Sequence, residues 1–417
     1  MEGVLVLRSN RNLALVVFAR AVSRLGGSAV WFIGVWGTAA YTFGATPRQL
    51  ATLSLANGIA AIAGSLTAGV LIDRYGPRRV MVGAEVLSIP PLVAMLHTDT
   101  FAPFVVFAAL YSLFGVPTWT AGASFAPYIV EGRKPLEKAN AAIESGAMLG
   151  FVFGPAVAAV LSERVGHPAV FVFTAITCVL AGVAAWLTRI ESTHREHAPS
   201  HPWRDFTSGL RLAYTTRSLR YYILMGTAVW FGFGAFSALE PLFYRDVVGV
   251  GVEWIGYMNA AFGVGLVVGA QSLPRLPDAV VSARGLAVTT MLCGLGTVLY
   301  VGSTDLRLIA AGGLLWGVVI GALEPLLRTL LHLDAPHAFV GRIVGTAQWH
   351  RNAGELIPLT LVPALAASLG IQRTLIAGGL VVTLIAILGY GTARTLDKAA
   401  AARTPSTSPT GPLPESV

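Results

Sequence analysis

The segment GVLIDRYGPRR at residues 69–79 separates two long apolar runs, 49–72 and 80–98. Gly76 permits a tight turn because glycine adopts a positive φ without steric cost, and Gly69 allows a neighbouring helix to approach closely. The charged residues of the segment are Asp73, Arg74, Arg78 and Arg79. The carboxylate can accept hydrogen bonds from a helix N-terminus, and the arginines can anchor the turn at a polar surface. The segment therefore predicts a short basic turn between two antiparallel helices.

Apolar runs recur along the whole chain. Of the 417 residues, 54% are hydrophobic and only 12% are charged, which is too little polar surface to cover a soluble fold. A helix needs about 20 apolar residues to cross a bilayer. Runs of this kind predict twelve spanning helices, near 13–40, 49–72, 80–98, 101–126, 140–162, 168–189, 221–244, 254–274, 284–302, 306–330, 342–368 and 372–393. We therefore predict an all-α membrane protein.

The basic residues predict an orientation for these spans. Lys and Arg outnumber Asp and Glu by 29 to 21 and fall in short clusters between the apolar runs. Alternate loops contain few of them: Arg48, Arg164, Arg245, Arg307 and Arg373. Because loops rich in Lys and Arg stay in the cytoplasm, both termini are predicted to be cytoplasmic. Short loops and an Ala- and Gly-rich composition favour the plasma membrane of a bacterium.

Several classes of function are disfavoured. The basic residues do not gather on one face, as they do in a protein that binds nucleic acid. Cys178 and Cys293 lie inside apolar runs without a nearby His or Cys, so we expect packing residues rather than a disulfide or a metal site. No phosphate-binding Gly loop, metal-ligand spacing or Ser-His-Asp set stands in a credible position. We therefore predict that the protein is not an enzyme and has no cofactor.

The chain divides near its middle. Its longest internal polar stretch, 191–220, predicts a cytoplasmic linker between an N-terminal six-helix half, 1–190, and a C-terminal six-helix half, 221–398. Within the linker, 203–214 can form an amphipathic helix on the membrane surface. The Pro-, Ser- and Thr-rich tail, 399–417, is predicted to be disordered.

Internal repeats support this division. Residues 155–161 match residues 363–369, at an offset of about half the chain, and the second and eighth spans match at a similar offset. The sequence ALEPL occurs at 238–242 and again at 322–326, in spans that run in opposite directions. Such matches predict two bundles related by pseudo-two-fold symmetry, each with an inverted repeat.

The 69–79 segment closely resembles the signature GxLaDrxGrkx of the major facilitator superfamily, and it stands between the second and third spans, as in that family. The resemblance implies two six-helix bundles and transport by alternating access. In the family this loop latches the two halves together in one conformation. By resemblance, the latch would consist of Gly69, Asp73, Arg74, Gly76, Arg78 and Arg79.

The fifth span contains small residues at every fourth position, followed by proline: Gly146, Gly150, Gly154 and Pro155. This pattern looks like the antiporter motif gxxxGPxxGG of exporters in the superfamily, with alanine in place of the last glycines. The resemblance implies outward transport. Segments 139–146 and 241–246 also look like the drug and siderophore exporter branch. A stripe of small residues that serves only close helix packing is the alternative explanation.

The residues that usually couple protons in drug exporters of this family are absent. Many members have an arginine in the fourth span and an acidic residue in the first, but residues 101–125 contain no basic residue and the first span contains no carboxylate. The first span instead contains Arg20 and Arg24, four residues apart and so on one helical face. A charge at membrane depth usually faces the protein interior or a water-filled cavity.

Glu355 and Arg24 lie nearest the predicted midplane, where transporter sites tend to form between the two halves. Arg351 is one helical turn from Glu355. Our hypothesis is that Glu355 binds a proton or the substrate, with its charge balanced by Arg351 or Arg24. A static pair between Arg351 and Glu355 within one helix is the alternative.

Other polar residues in the spans have less specific expectations. Glu240 and Glu324 are interpreted as paired gate elements near opposite mouths, or as structural carboxylates. Glu85 and Glu144 could be partners for Arg20. His350 could titrate, or it could be a hydrogen-bonded packing residue.

Tryptophans lie on the first, fourth, seventh and tenth spans: Trp31, Trp36, Trp119, Trp230 and Trp316. By resemblance those four helices line a central cavity, where the rings could stack against a lipophilic substrate. Anchoring at the membrane interface is the alternative, and it is the better account for Trp36.

The predicted function is efflux of hydrophobic small molecules, a drug or a natural product, driven by protons. The alternatives are an importer or facilitator of a small polar solute, and a non-transporting membrane protein built on the same scaffold. The predicted partners are the small molecule, protons and the lipid bilayer, with no nucleic acid, and the chain is predicted to be a monomer.

Overall fold

The computed structural model describes residues 10–190, 202–336 and 339–403. Nearly all of these residues are helical, and no β-strand occurs among them. The prediction of an all-α fold is confirmed.

The N-terminal half contains six helices. Helix α1, Arg11–Ala29, continues with wider π-helical winding over Val30–Thr42. The segment Pro47–Leu96 is broken at Gly76, and we number its parts α2 (47–75) and α3 (77–96). The half is completed by α4, Phe101–Ala123, α5, Arg133–Arg164, and α6, Ala169–Leu187.

A short helix, α7, Pro202–Thr215, precedes the C-terminal half. That half contains α8, Arg217–Leu242, with a π-helical end at Phe243–Val248, α9, Glu253–Ser272, α10, Ala283–Val301, α11, Leu306–Asp334, α12, Val340–Leu356, α13, Val362–Leu369, and α14, Ile371–Arg403.

Within the described residues, nine helical segments are long and apolar enough to cross a membrane. A tenth is added if α12 and α13, which are bent by 46° at their junction, form one span. The nine include the broken segment Pro47–Leu96 as one helix, although its two parts correspond to two predicted spans. The multi-pass architecture is confirmed, and the count of twelve spans stays a prediction.

Capping residues set several helix boundaries. Thr46 and Gln49 form a capping box at the start of α2, where Pro47 takes the position at which its missing N–H costs nothing. Asn10 accepts a hydrogen bond from Leu13 N at 3.0 Å and so begins α1. These local signals fix the point at which each helix starts.

The linker helix was predicted at 203–214 and is confirmed by α7. Residues 191–201 of the predicted linker lie outside the described residues. At the other end of the half, α14 continues past Lys398 to Arg403, so the first residues of the predicted tail are helical. Residues 404–417 also lie outside the described residues.

Because the helices alternate in direction, the connections fall at two ends of the molecule. We call one the terminal end; it holds Asn10, the turn at Gly76 and helix α7. The other, which we call the distal end, holds the α1–α2, α5–α6 and α8–α9 connections. Two hydrogen bonds between Asn12 and Arg189, of 2.9 and 3.1 Å, join α1 to the chain after α6 at the terminal end.

The turn at Gly76 has a backbone conformation that only glycine tolerates. Its φ is 77° and its ψ is 158°, a region in which a Cβ atom is strained. Nothing lies within 4 Å of a Cβ built at this position, so the requirement comes from the backbone and not from space.

Replacing Gly76 by alanine is therefore expected to destabilise the protein by about 1–3 kcal/mol. Gly83→Ala in α3 is the matched control, because its Cβ also meets nothing within 4 Å and its φ is helical. Thermal unfolding of the two variants in detergent should give a lower midpoint for Gly76→Ala only. Equal midpoints would contradict the strain argument.

Candidate functional site

An arginine in the N-terminal half lies between two aromatic rings. The guanidinium carbon of Arg24 is 4.3 Å from the centre of the Trp119 ring and 5.1 Å from that of Phe151. Helices α1, α4 and α5 supply the three side chains. In the described part of the chain Arg24 forms no ion pair with a carboxylate, so aromatic faces supply its stabilisation.

The neighbouring Arg20 is buried and has specific partners. Its Nη1 donates to the Trp119 carbonyl at 2.9 Å, and its Nη2 lies 3.7 Å from Glu144 Oε1. The prediction that Glu144 could pair with Arg20 is confirmed. Glu85 is 3% exposed and its carboxyl contacts Ser23 and Cys178, so it interacts with Arg20 only through its charge.

A second arginine stack lies in the C-terminal half. Arg351 Nη1 lies 3.4 Å from Glu324 Oε1, and its guanidinium carbon lies 3.6 Å from the centre of the Trp230 ring. Trp230 Nε1 donates to the same Glu324 oxygen at 3.2 Å. These residues, with Arg328 and Gln348, line a cavity of about 50 Å³ between α8, α11 and α12.

Arg351 does not form an ion pair with Glu355 in this conformation, although its charge acts on that carboxyl. Arg351 pairs instead with Glu324 of α11, because the ring of Trp230 holds the guanidinium beside that carboxylate. Arg24 does not balance Glu355 either, since its guanidinium stacks on Trp119 and Phe151.

Glu355 lies at a break in its span. It is partly buried and, among the described residues, forms no ion pair. Helix α12 ends one residue later, and the next turn, Ile357–Thr360, has 3₁₀ geometry before α13 continues at an angle. Gly234 of α8 packs against the Glu355 carbonyl, where a Cβ would come within 2.1 Å of the oxygen. The carboxylate therefore has a fixed backbone position and no ion-pair partner in the described structure, although the charge of Arg351 one turn away still acts on it.

Glu240 is enclosed within the C-terminal half and does not line a mouth. Its Oε1 accepts hydrogen bonds from Asn259 Nδ2 at 2.9 Å and from the Tyr300 hydroxyl at 3.1 Å, and Tyr300 in turn bonds Tyr244. The gate interpretation fails here because these partners come from α9, α10 and the end of α8, all in one half. Glu324 likewise bonds only within its own half among the described residues.

The predicted tryptophans separate into two groups. Trp119, 43% exposed, and Trp230 stack on arginines. Trp316 is 4% exposed inside a cluster with Phe233, Phe236, Phe262 and Tyr300, so its expected role as a stacking surface in the cavity is wrong.

The two tryptophans of α1 contact each other. Trp31 is partly buried, and its ring meets that of Trp36 edge-on with the centres 5.6 Å apart. Trp36 is 4% exposed, so packing inside the protein accounts for it, and interfacial anchoring does not. The two cysteines are free and buried, as predicted.

His350 is a hydrogen-bonded packing residue. Its Nε2 lies 2.7 Å from the Tyr214 hydroxyl, and its Nδ1 lies 2.8 Å from the Thr346 carbonyl. Because Tyr214 belongs to α7, this contact attaches the linker helix to α12. A hydrogen bond of 3.2 Å from Arg342 Nη1 to the Ser208 hydroxyl adds a second attachment.

The antiporter-like stripe has two neighbours. Gly150 and Gly154 face α1 so closely that a Cβ would come within 2.2 Å of the Ala21 carbonyl or 2.0 Å of the Ser28 hydroxyl. Gly146 faces the same helix less tightly, at 3.0 Å from Val17. Pro155 faces the other half, where its carbonyl lies 2.4 Å from the Cβ position of Gly256 in α9. The stripe therefore joins α5 to α1 and, at its end, to the other half.

The residues of the predicted latch do not hold the halves together in this conformation. Asp73, Arg74 and Arg79 are exposed, and none forms an ion pair among the described residues. A Cβ at Gly69 would also meet nothing within 4 Å, so the close helix approach expected there is not made. The latch stays a prediction for a different conformation.

The halves are instead joined by hydrogen bonds at the distal end. Arg245 Nη1 donates to the carbonyls of Ala40 and Ala45, and the Tyr41 hydroxyl donates to the Val250 carbonyl at 3.0 Å. Tyr257 donates to Glu163 at 2.6 Å. These hydrogen bonds hold the two halves together at the distal end in this conformation.

Sequence reasoning missed this distal contact. In the sequence, Arg245 is only a loop charge and part of the segment 241–246, and no pattern singles out Tyr41. Their partners are backbone carbonyls, which carry no sequence signal. Phe151 was also missed, although its position between Gly150 and Gly154 places it on a helix that contacts α1.

The helical architecture and the 69–79 segment agree with a match to a family model. The model described as Major Facilitator Superfamily matches residues 16–358, and the chain belongs to that family. The protein is therefore a membrane transporter by family and not an enzyme.

Characterised relatives cover most of the chain. Multidrug efflux pump Tap of Mycobacterium tuberculosis is 25% identical over 384 residues, covering 88% of this chain and 90% of Tap. Staphyloferrin B transporter of Staphylococcus aureus is 24% identical over 322 residues, covering 73% and 75%. Multidrug resistance protein MdtG of Yersinia enterocolitica is 24% identical over 330 residues, covering 77% and 78%.

Solved structures share the fold. The nucleoside transporter NupG superposes with a TM-score of 0.75 at 12% identity, covering 91% of this chain and 98% of NupG. A POT family transporter in complex with 5-aminolevulinic acid has a TM-score of 0.72 at 14% identity, covering 93% and 97%. At these identities the likeness shows the fold alone.

Replacing Arg245 by alanine is expected to favour states that are open at the distal end. The loss of charge-assisted hydrogen bonds, worth about 1.5 kcal/mol or more, would change the population about tenfold. Spin labels at positions 48 and 307, which are exposed at this end in different halves, would report a longer distance. Cys178 and Cys293 would first be replaced by alanine.

Arg373→Ala is the matched control. It removes an exposed arginine at the same end that, in the described structure, makes no hydrogen bond to the other half. An unchanged distance in Arg245→Ala, or an equal change in both variants, would show that Arg245 does not hold this end closed.

Proposed function

We propose that this transporter is a proton-coupled exporter of hydrophobic small molecules that works by alternating access. The observation that carries the direction is its likeness, along 88% of its length, to a multidrug efflux pump. The likeness to Multidrug resistance protein MdtG supports a drug-like substrate, and the likeness to Staphyloferrin B transporter supports transport of a small molecule.

The geometry supports a loading state. With both termini in the cytoplasm, as the basic loops predict, the hydrogen-bonded distal end faces outward and is closed, and we take the terminal end, which then faces the cytoplasm, to be the end that opens. An exporter takes up its substrate in that state. The transition then requires Arg245 and Tyr41 to release Ala40, Ala45 and Val250, while the 69–79 segment closes the cytoplasmic end.

The aromatic surfaces support a hydrophobic substrate. Trp119, 43% exposed, and the partly buried Phe151 and Trp230 present rings on helices of both halves. Such rings offer large apolar contact area with a polar edge, which suits drug-like molecules with an apolar body.

We assign the coupling proton to Glu355. A carboxylate at membrane depth without an ion-pair partner favours the neutral, protonated form, whereas exposure to water favours the ionised form. Glu355 lies at a broken helix, the arrangement in which transporters place midplane sites. Release of the distal contacts would change its access to water, which links proton binding to the movement of the halves.

The alternatives predict different outcomes. An importer or facilitator of a polar solute would raise the accumulation of that solute in the cell, and a non-transporting protein would change no solute. The likeness to nucleoside and peptide transporters does not favour import, because it shows the fold alone.

Expression in a host that lacks its own efflux pumps should lower the cellular accumulation of lipophilic dyes and drugs. A proton uncoupler should restore accumulation to the level of a host that carries an empty vector. Unchanged accumulation of every lipophilic compound tested would count against export, and efflux that persists with the uncoupler would count against proton coupling.

Glu355→Gln tests the coupling residue. The amide cannot release a proton, so substrate uptake driven by a pH gradient in everted vesicles should be lost. Exchange of substrate down its own gradient should remain.

Two carboxylates provide controls for this variant. Glu131→Gln removes an exposed carboxylate near the terminal end, and Glu240→Gln changes the enclosed carboxylate bonded to Asn259. Both should keep pH-driven uptake. The assignment is wrong if Glu355→Gln keeps it too, or if Glu240→Gln alone abolishes it.

A further inference from the structure

Two hydrogen-bond donors lie beside Gly27 of α1, and the Arg24 guanidinium stacks on the ring that carries one of them. Among the described residues, a Cβ at Gly27 would meet only two atoms within 4 Å, the Tyr111 hydroxyl at 3.8 Å and Trp119 Nε1 at 3.9 Å. Gly27 lies three residues after Arg24, and so nearly above it on the same helical face. The absence of a side chain at Gly27 leaves space beside these polar groups.

Neither polar group has an acceptor in the described structure. No hydrogen bond joins the Tyr111 hydroxyl or the Trp119 N–H to another described residue, although Trp119 and Tyr111 both retain contact with solvent. Arg24 likewise forms no ion pair there. A membrane protein rarely leaves a cation and two further donors together without an acceptor, because each is costly at membrane depth.

Neighbouring charges do not neutralise Arg24. Arg20, on the same face, is positive and already binds the Trp119 carbonyl and Glu144. Glu144 is 61% exposed and reaches Arg20, while the Glu85 carboxyl contacts Ser23 and Cys178. Arg24 is therefore the cation of this region that forms no ion pair in the described structure, although the charges of Glu144 and Glu85 also act here. In the other half, by contrast, Arg351 is already paired with Glu324.

We infer that Arg24, Tyr111 and Trp119 bind the anionic group of an amphipathic organic anion over Gly27. The guanidinium supplies the charge, and the Tyr111 O–H and Trp119 N–H supply two further hydrogen bonds. The exposed Trp119 ring and Phe151 receive the apolar body of the same molecule. The inference rests on the proposed transport function and gives its substrates a class: carboxylates or sulfonates with an apolar or aromatic body.

Three naphthalene probes with one apolar body and different charges test the class: 1-naphthoate, 1-naphthylmethylammonium and 1-naphthylmethanol. Equilibrium dialysis of the full chain in phosphatidylcholine nanodiscs measures binding, and empty nanodiscs correct for partition into lipid. We expect 1-naphthoate to bind at least tenfold more tightly than the other two. Equal or tighter binding of the cation or the alcohol would overturn the inference.

Substitutions test the residues. Arg24→Gln should weaken 1-naphthoate binding at least tenfold, and Arg24→Lys, which keeps the charge, should weaken it less. Tyr111→Phe should weaken it severalfold and leave binding of the alcohol unchanged, whereas Trp119→Phe, which also shrinks the ring that receives the apolar body, should weaken binding of both probes and that of 1-naphthoate more. Tyr221→Phe is the control, because it removes a buried hydroxyl in the other half that also has no partner in the described structure.

Loss of folding is separated from loss of binding by thermal unfolding of each variant. Affinities are compared at a temperature below the unfolding midpoint of every variant, and equal 1-naphthoate affinity in Arg24→Gln and the unmodified chain would overturn the inference. Gly27→Ala should fold, since its Cβ makes only ordinary contacts, and should weaken binding by filling the space.

A lipid headgroup could offer the same anion chemistry. Displacement of 1-naphthoate by soluble dihexanoyl phosphatidylglycerol, but not by dihexanoyl phosphatidylcholine, would assign the site to lipid and overturn a small-molecule substrate. Absence of displacement by either supports the inference. Binding is measured without a gradient, so it does not depend on transport. If the probes do not bind as expected, the export proposal is still tested by the efflux screen. If the efflux screen fails, the measured anion binding still stands.

Discussion

The cost of a charge at membrane depth constrains the interior of this transporter. Hydrocarbon supplies no hydrogen bonds, so a guanidinium or carboxylate must find its partners within the protein. Arg20 finds a carbonyl and Glu144, Arg351 finds Glu324 and a tryptophan ring, and Glu240 finds an amide and a phenol. Arg24 and Glu355 stand apart because neither forms an ion pair in the described part of the chain. The groups left without one are the groups to which we assign ligands.

Close helix packing sets the distances over which these partners can meet. Gly150 and Gly154 bring the backbone of α5 against α1, which places Phe151 beside Arg24. The same helix contacts α9 through Pro155. A shift of α5 would therefore change both the binding region and the contact between the halves. Larger side chains at the two glycines would separate α1 from α5 and remove one wall of the arginine stack.

The sequence predicted the helical membrane fold, the linker helix and the family, because apolar length, amphipathic spacing and the 69–79 segment are local patterns. It also placed Glu144 near Arg20. It failed at Arg351, because the neighbour one turn along a helix is visible in sequence, whereas Glu324 on another helix is not. It failed at Trp316 because burial depends on which face of a helix meets its neighbours. Pairings between helices require the packed structure.

In the sequence, helix α7 lies between the two halves. Its contacts, however, attach it to the C-terminal half. Its hydroxyls at Tyr214 and Ser208 bond His350 and Arg342 of α12, and Gly209 packs against the same helix. When the two halves rotate against each other, α7 must travel with the C-terminal half as part of one rigid body. A reporter attached to α7 would therefore record the rotation of that half as a lever arm.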